Sequence, residues 1–291
     1  MRTKHTYGEH TATICIEGLT QTTTLFQNTD AHISCDTKRD LEYEQYSTRM
    51  NTAFKDRNTT TSFAQQIQIA QQKKVDLIAL TGDQVNYPSP SSIAFVLETV
   101  QKANIPYLYT AGNHDWHYEG MEGSSHDLRQ TWRENRLKSL YNGHNPSHTS
   151  LDLNGLCVIA IDNATSQISE EQLAFYRTQT ARKLPTVLLI HIPLYLHDRH
   201  TGSPLCGNPD WGFDTDRNYE VERRQRWPKE GNFPSTTAFL ESVKTTPNLV
   251  AILCGHTHQN REAAHNNAVQ YETNAGFLGG YRTFTFEPLT K

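Results

Sequence analysis

The chain has 291 residues and a formal net charge of -4 at pH 7, with 36% hydrophobic and 10% aromatic residues. That length lies at the upper end of what one hydrophobic core can hold. The slight acidity argues against a strong nucleic-acid binder, which carries a basic patch or stripe. The first nine residues are polar and charged rather than signal-like, and no later run approaches a membrane span. Five cysteines (Cys15, Cys35, Cys157, Cys206 and Cys254) are an odd number at irregular spacing and match no zinc-ribbon or disulfide framework. A reducing, cytoplasmic setting is therefore expected.

In chain order, residues 12–16 and 22–26 are apolar or alternating and flank Gly18, which predicts a hairpin leading into Asp30. Phe63, Ile67 and Ala70 recur at helical spacing up to about Lys74, and Ile93, Val96, Leu97 and Val100 repeat that pattern. Apolar runs at 75–80 and 105–109 follow these helices, the βαβ rhythm of a mostly parallel sheet. A third helix is expected over roughly 126–140. Residues 149–153, the Asn154, Gly155 turn and residues 156–161 form the strongest hairpin signal in the chain. Ser169 with Gln172 three residues on is a capping-box pair opening the next helix.

A strand at 187–190 precedes His191. Residues 197–234 then hold four prolines and the aromatics Trp211, Phe213, Tyr219, Trp227 and Phe233 with no periodic pattern. A loop of that length reads as a lid or pocket wall. Ser235 is expected to cap a last helix over 237–244, with a strand at 250–253 and two or three strands after Ala268 closing a second sheet. No linker interrupts this series, so a single domain over 1–291 is predicted. Asn58 and Asn163 each open a glycosylation triplet, but such triplets arise often by chance and carry no weight here.

Five polar motifs sit at the ends of five of these runs: Asp30 and His32; Gly82 and Asp83; Gly112, Asn113, His114 and Asp115; His191; and Gly255, His256 and His258. Strand ends of that kind line one rim of a sheet, where α/β proteins bind their ligands. The set supplies carboxylates, imidazoles and one amide oxygen, enough for two divalent cations. Asp83 is the natural bridging carboxylate, with Asp30, His32 and His258 completing one site and Asn113, His191 and His256 the other. Mixed imidazole and oxygen ligation suits manganese, iron or zinc better than calcium or magnesium. Such a pair holds phosphate oxygens and brings a bound water near neutral pKa, supplying hydroxide for in-line attack. His114 is not needed as a ligand and can donate to the departing oxygen, with Asp115 placed to accept from its ring.

On these motifs the chain resembles the calcineurin-like metallophosphoesterases, from about residue 22 to 260, and residues 154–173 resemble their bacterial cyclic-nucleotide phosphodiesterase-like members. The resemblance implies an α/β four-layer αββα sandwich, two mixed sheets flanked by helices, with a dinuclear site at the strand C-terminal ends. It also implies the ligand and His114 roles given above. Departures narrow it. Gln84, Val85 and Asn86 replace the Asp-Arg-Gly continuation of protein serine/threonine phosphatases, and Asp115 replaces their Glu. Asn86 and His32 differ from the tyrosine ligand and histidine-free first motif of purple acid phosphatases. Nucleases of the superfamily add basic surface that is not found here. Ser34 stands where many members carry glycine, which bears on loop shape but not on ligands.

The expected activity is hydrolysis of a small-molecule phosphate ester, diesters slightly ahead of monoesters. Two alternatives stay open: an enzyme for a bulky pyrophosphate or lipid-linked phosphate, and a binding protein that kept the fold without catalysis. Trp116, His117, Tyr118, His197, Arg199 and His200 are placed to flank the metals, or simply to pack.

Overall fold

Strand β4 (Leu77–Thr81) is buried along its whole length, so its alternating side chains need apolar neighbours on both faces. Leu77 and Ala79 pack with Leu25, Leu108, Phe284 and Phe286 and, across the gap, with Val158, Val187, Leu189 and Leu253 of another sheet. Ile78 and Leu80 point the other way, against Phe63, Ile67, Val96 and Val100 from helices α2 (Thr59–Lys73) and α3 (Pro90–Ala103). The second sheet repeats this two-sidedness. Its Ile159, Leu188 and Ile252 meet Leu173 and Tyr176 of α5 (Glu170–Thr180) and Phe239 and Val243 of α6 (Pro234–Thr245). Helix, sheet, sheet and helix thus stack as four layers, as the resemblance implies. This computed structural model describes residues 1–35, 37–54, 56–116, 125–196, 205–209 and 232–290.

The first sheet runs β1 (Thr3–Tyr7), β2 (Thr11–Ile16), β12 (Arg282–Pro288), β3 (Thr23–Asn28), β4 and β5 (Tyr107–Thr110). The second runs β10 (Arg261–His265), β11 (Ala268–Glu272), β9 (Leu249–Cys254), β8 (Thr186–Leu189), β7 (Leu156–Ile161) and β6 (His148–Leu153). Both are mixed: β3, β4 and β5 are mutually parallel, as are β7, β8 and β9, while β1, β6 and β10 are antiparallel edges.

Three expectations need correction. Of the strands expected after Ala268 to close the second sheet, β11 alone joins it among the described residues, and β12 belongs to the first sheet. β2 and β3 do not form a hairpin, because the C-terminal strand β12 inserts between them, parallel to β2 and antiparallel to β3. β2 forms its hairpin with β1 instead, within the polar N-terminal residues. Ser235 does not cap the last helix, whose first residue is Pro234, a position that suits proline's missing donor. Ser235 Oγ donates to the Ile168 carbonyl at 2.6 Å and so fastens the helix to the body.

Other elements follow the expected pattern. The β6–β7 hairpin turns through Asn154 and Gly155, both at positive φ. Ser169 and Gln172 form the capping box of α5. A shorter helix α1 (Glu44–Asn51) precedes α2, and α4 (Ser125–Asn135) follows β5. The lid reading of 197–234 falls largely outside the described residues, as do Trp211, Phe213, Tyr219 and Trp227. At the described roots of that segment, Cys206 bridges Leu194, and the Phe233 amide donates to Gln167 Oε1 at 2.9 Å. No helix among the described residues is long and apolar enough to cross a membrane.

Candidate metal centre

The predicted ligands follow β3, β4, β5, β8 and β9, and the backbone beyond those strands is held in an unusual shape. Asp30 (φ 51°), His32 (45°), Asp83 (50°), His256 (69°) and His258 (54°) all occupy the left-handed region. Non-glycine residues rarely sit there, and such strain concentrates at sites where geometry is imposed for function. Main-chain bonds enforce it: Asp30 N and His32 N donate to the Gly82 and Asp83 carbonyls, and Gly255 N to the His191 carbonyl, each at 3.0 Å. Glycine is required at two neighbouring positions. A Cβ on Gly82, itself at φ 86°, would collide with the His191 ring, and one on Gly112 would strike the Asp83 carboxylate.

These loops bring the side chains into contact. Asp30 Oδ1 lies 3.2 Å from His258 Nε2, and His258 Nε2 lies 3.3 Å from His32 Nε2. Asp83 Oδ2 lies 3.2 Å from His191 Nε2 and 3.8 Å from His32 Nε2, so one carboxylate oxygen stands between two groups of nitrogens. Donor atoms of Asp83, His191 and His256 fall within 4.8 Å of one another, as do those of Asp30, His32 and His258. Asn113, buried, follows Gly112 at the same rim, and the next amide, His114 N, donates to Asp83 Oδ1 at 2.7 Å.

The donor set fits cations. Asp30 Oδ1 and His191 Nε2 are buried and form no directed hydrogen bond, although each faces a ligand atom at 3.2 Å. Donors about 2.1 Å from a tetrahedral cation stand roughly 3.4 Å apart, close to the spacings found here. His191 Nδ1 lies 2.9 Å from the Thr81 carbonyl, which takes its proton and leaves Nε2 facing the pocket. Asp30 Oδ2 is engaged by the Thr29 hydroxyl (2.7 Å) and His256 N (2.9 Å), so its other oxygen is the one turned inward.

The carboxylates and imidazoles of the cluster stabilise one another's charged forms. Burial works against ionised Asp83, but the imidazoles of His191, His114 and His32 outweigh it and hold the carboxyl well below the usual range. Asp30 is likewise opposed by burial yet lowered to about 2 by His258 and His191. Burial disfavours charge on His191 too, and Asp83 and Asp30 overcome it, raising the imidazole to about 10. Burial and His114 lower His32 to about 3, so its lone pair is available.

At pH 8, below the metal-free value of His191, ligation must expel its proton. We expect metal binding to release at least the His191 proton at that pH, with His258, disfavoured by burial yet raised by Asp30, adding to it. The release should fade as pH rises through about 10, with affinity climbing until then. Titration calorimetry in buffers of different ionisation enthalpy measures this, and binding without proton release would contradict it.

The His114 ring is half-buried and meets His32 edge-on at 4.6 Å, within 4.8 Å of ligand atoms of His32 and Asp83. Asp115 has a different partner from the one expected. Its Oδ2 accepts from Gly112 N at 2.8 Å and its Oδ1 from Val85 N at 3.0 Å. It therefore ties the β5 loop to the β4 loop rather than the ring of His114. Burial and the nearby Asp83 raise its carboxyl to about 7. Trp116 packs in the core beneath the Arg129 guanidinium (4.1 Å), in line with the packing alternative. His117, Tyr118, His197, Arg199 and His200 lie outside the described residues.

Two positioning residues gave no clear sequence signal. Asn163 is fully buried; its Oδ1 accepts from His191 N (3.1 Å) and Ile192 N (3.0 Å), and its Nδ2 donates to Ile192 O. Gln27 spans the two sheets beneath the site, from Thr81 Oγ1 and the Cys254 carbonyl to Thr273 Oγ1. Replacing Asn163 with Ala orphans two buried amides, at about 1–3 kcal/mol each. Metal affinity should drop about 10–100-fold, as for lost outer-shell partners. Denaturant unfolding and metal titration check both numbers; unchanged affinity would show that His191 needs no such support.

Comparison with known proteins agrees with this architecture. A family model of calcineurin-like phosphoesterases matches residues 29–260. A curated relative from Fibrobacter succinogenes, named as a probable cyclic nucleotide phosphodiesterase, is 27% identical over 186 residues, 64% of this chain and 59% of that protein. The match thus spans under two thirds of that relative's length. Among solved structures, a dimetal phosphatase from Danio rerio superposes with a TM-score of 0.58 at 10% identity, covering 90% of this chain and 91% of that one. A purple acid phosphatase from yellow lupin seeds gives 0.52 at 14% identity over 92% and 46% of the two chains. These similarities concern the fold, and the family match spans every motif of the rim described above. The chain belongs to the calcineurin-like phosphoesterase family.

Proposed function

We propose that the chain hydrolyses phosphoric esters with two divalent cations, and phosphodiesters in preference to phosphomonoesters. The observation that carries this is Asp83, whose Oδ2 faces His191 on one side and His32 on the other. Asp30, His32 and His258 would hold one cation with Asp83; Asn113, His191 and His256 would hold the second with it. Manganese, iron and zinc suit this mixture of imidazole and oxygen donors. When bound, such a pair neutralises charge on the phosphoryl oxygens and lowers the pKa of a water to roughly 7.

The chain's own residues do the remaining work. Asp83 is oriented by the His114 amide, and Asp115 holds the two loops that carry them. The His114 imidazole, at the half-buried face of the cluster, donates a proton to the departing oxygen. The preference for diesters draws support from the name of the Fibrobacter succinogenes relative.

Elemental analysis of the purified protein, then turnover of aryl monoesters and diesters after chelation and reloading with each metal, tests the reading. Two ions per chain and metal-dependent diester hydrolysis are expected. Fewer than one ion, or turnover indifferent to chelation, would overturn it.

A further inference from the structure

We infer that Phe54 and Phe277 form an aromatic wall beside the cation pocket that seats a planar ring of the substrate, so that the site selects phosphoesters carrying an aryl or nucleobase group. This deepens the hydrolase reading and rests on it for the identity of the reacting group. Phe54 lies flat against His32, with centroids 4.8 Å apart and planes 15° apart. Phe277 meets His32 (5.4 Å), His258 (5.3 Å) and Phe54 (5.0 Å) edge to face. Both rings therefore touch groups assigned to the metal centre.

Neither ring is fully buried, and the adjoining Leu278 is 47% exposed, one of the few large apolar side chains left that open among the described residues. Rings needed only for packing gain most from complete burial. Two partly exposed rings in contact with His32 and His258, with a leucine beside them, present apolar surface to a ligand that reaches the cluster. The wall is also built to stay put. Phe277 N donates to the Asp30 carbonyl (3.2 Å) and Gly276 N to that of Thr29 (2.8 Å). The Gly276 carbonyl accepts from Ser62 Oγ (2.7 Å) and Gln66 Nε2 (2.8 Å) on α2. Arg57, exposed, leans over Phe277 at 5.8 Å and has no ion pair among the described residues. A fixed aromatic face, a guanidinium with no ion pair among the described residues and the cation cluster together match a ligand with a planar ring on one side and phosphate charge on the other.

The test uses binding, which needs no turnover. Phenylphosphonate and methylphosphonate are titrated by calorimetry into the metal-loaded protein, its Phe277→Ala and Phe54→Ala variants, and Phe277→Leu, which keeps apolar volume should alanine compromise folding. Metal content is measured in each. The wild-type protein should bind phenylphosphonate about tenfold more tightly, the scale of one stacked ring. The variants should lose most of that preference, with methylphosphonate binding and metal content unchanged. No preference in the wild type, or one that survives in every variant, overturns the inference. So does a parallel loss of metal and of both ligands, because the rings would then serve only to brace His32 and His258. A preference for the phenyl compound in a protein that hydrolyses no ester would leave the wall standing and remove the hydrolase reading instead.

Discussion

Asp83→Ala is expected to lower kcat on a chromogenic diester by about a thousandfold or more, and to leave at most one ion per chain. The size follows from the several kcal/mol that a cation pair contributes to transition-state charge, at one factor of ten per 1.36 kcal/mol. The reason is positional. Asp83 is the carboxylate whose oxygen lies near both His191 Nε2 (3.2 Å) and His32 Nε2 (3.8 Å), so no neighbour can replace it as a bridge. Its other oxygen takes the His114 amide, and that constraint disappears as well. Elemental analysis and steady-state kinetics on the same preparation, with circular dichroism to confirm folding, decide the matter. Two retained ions with full turnover would remove the basis for the proposed activity.

His114→Gln should behave differently. The backbone N–H that orients Asp83 survives the change, so both ions should remain while kcat falls about 10²–10⁴-fold, the range for a lost general acid. The loss should grow as the leaving group becomes a poorer one, because an alkoxide needs the proton more than a nitrophenolate does. A uniform loss across leaving groups would argue for a charge-holding role. Loss of an ion would instead make His114 a ligand, which its proximity to His32 and Asp83 permits.

The polar residues after β3, β4, β5, β8 and β9 stand out because each follows a buried run, a local relation of strand and strand end. His114 was legible for the same reason. Its neighbour Asp115 was not, since either the adjacent ring or a distant amide could take a carboxylate at that position. Folding brings Val85 and Gly112 within reach, and two directed N–H bonds in a buried site outweigh one contact with a half-exposed imidazole. Asn163 looked like a chance triplet, and only the approach of β7 to β8 gives it the His191 amide to hold. Phe54 and Phe277 are more than two hundred positions apart and meet only because each packs on His32.

The sequence by itself determined the α/β class, the strand-end rim and which polar residues stand along it, because hydrophobic period and strand termination are local properties. Tertiary structure alone decided that β12 enters the first sheet between β2 and β3, that Asp83 faces both halves of the cluster, and that an aromatic wall borders it. Each of these depends on contacts between segments distant in the chain, chosen by which pairing buries the most apolar surface and leaves the fewest polar groups unmatched.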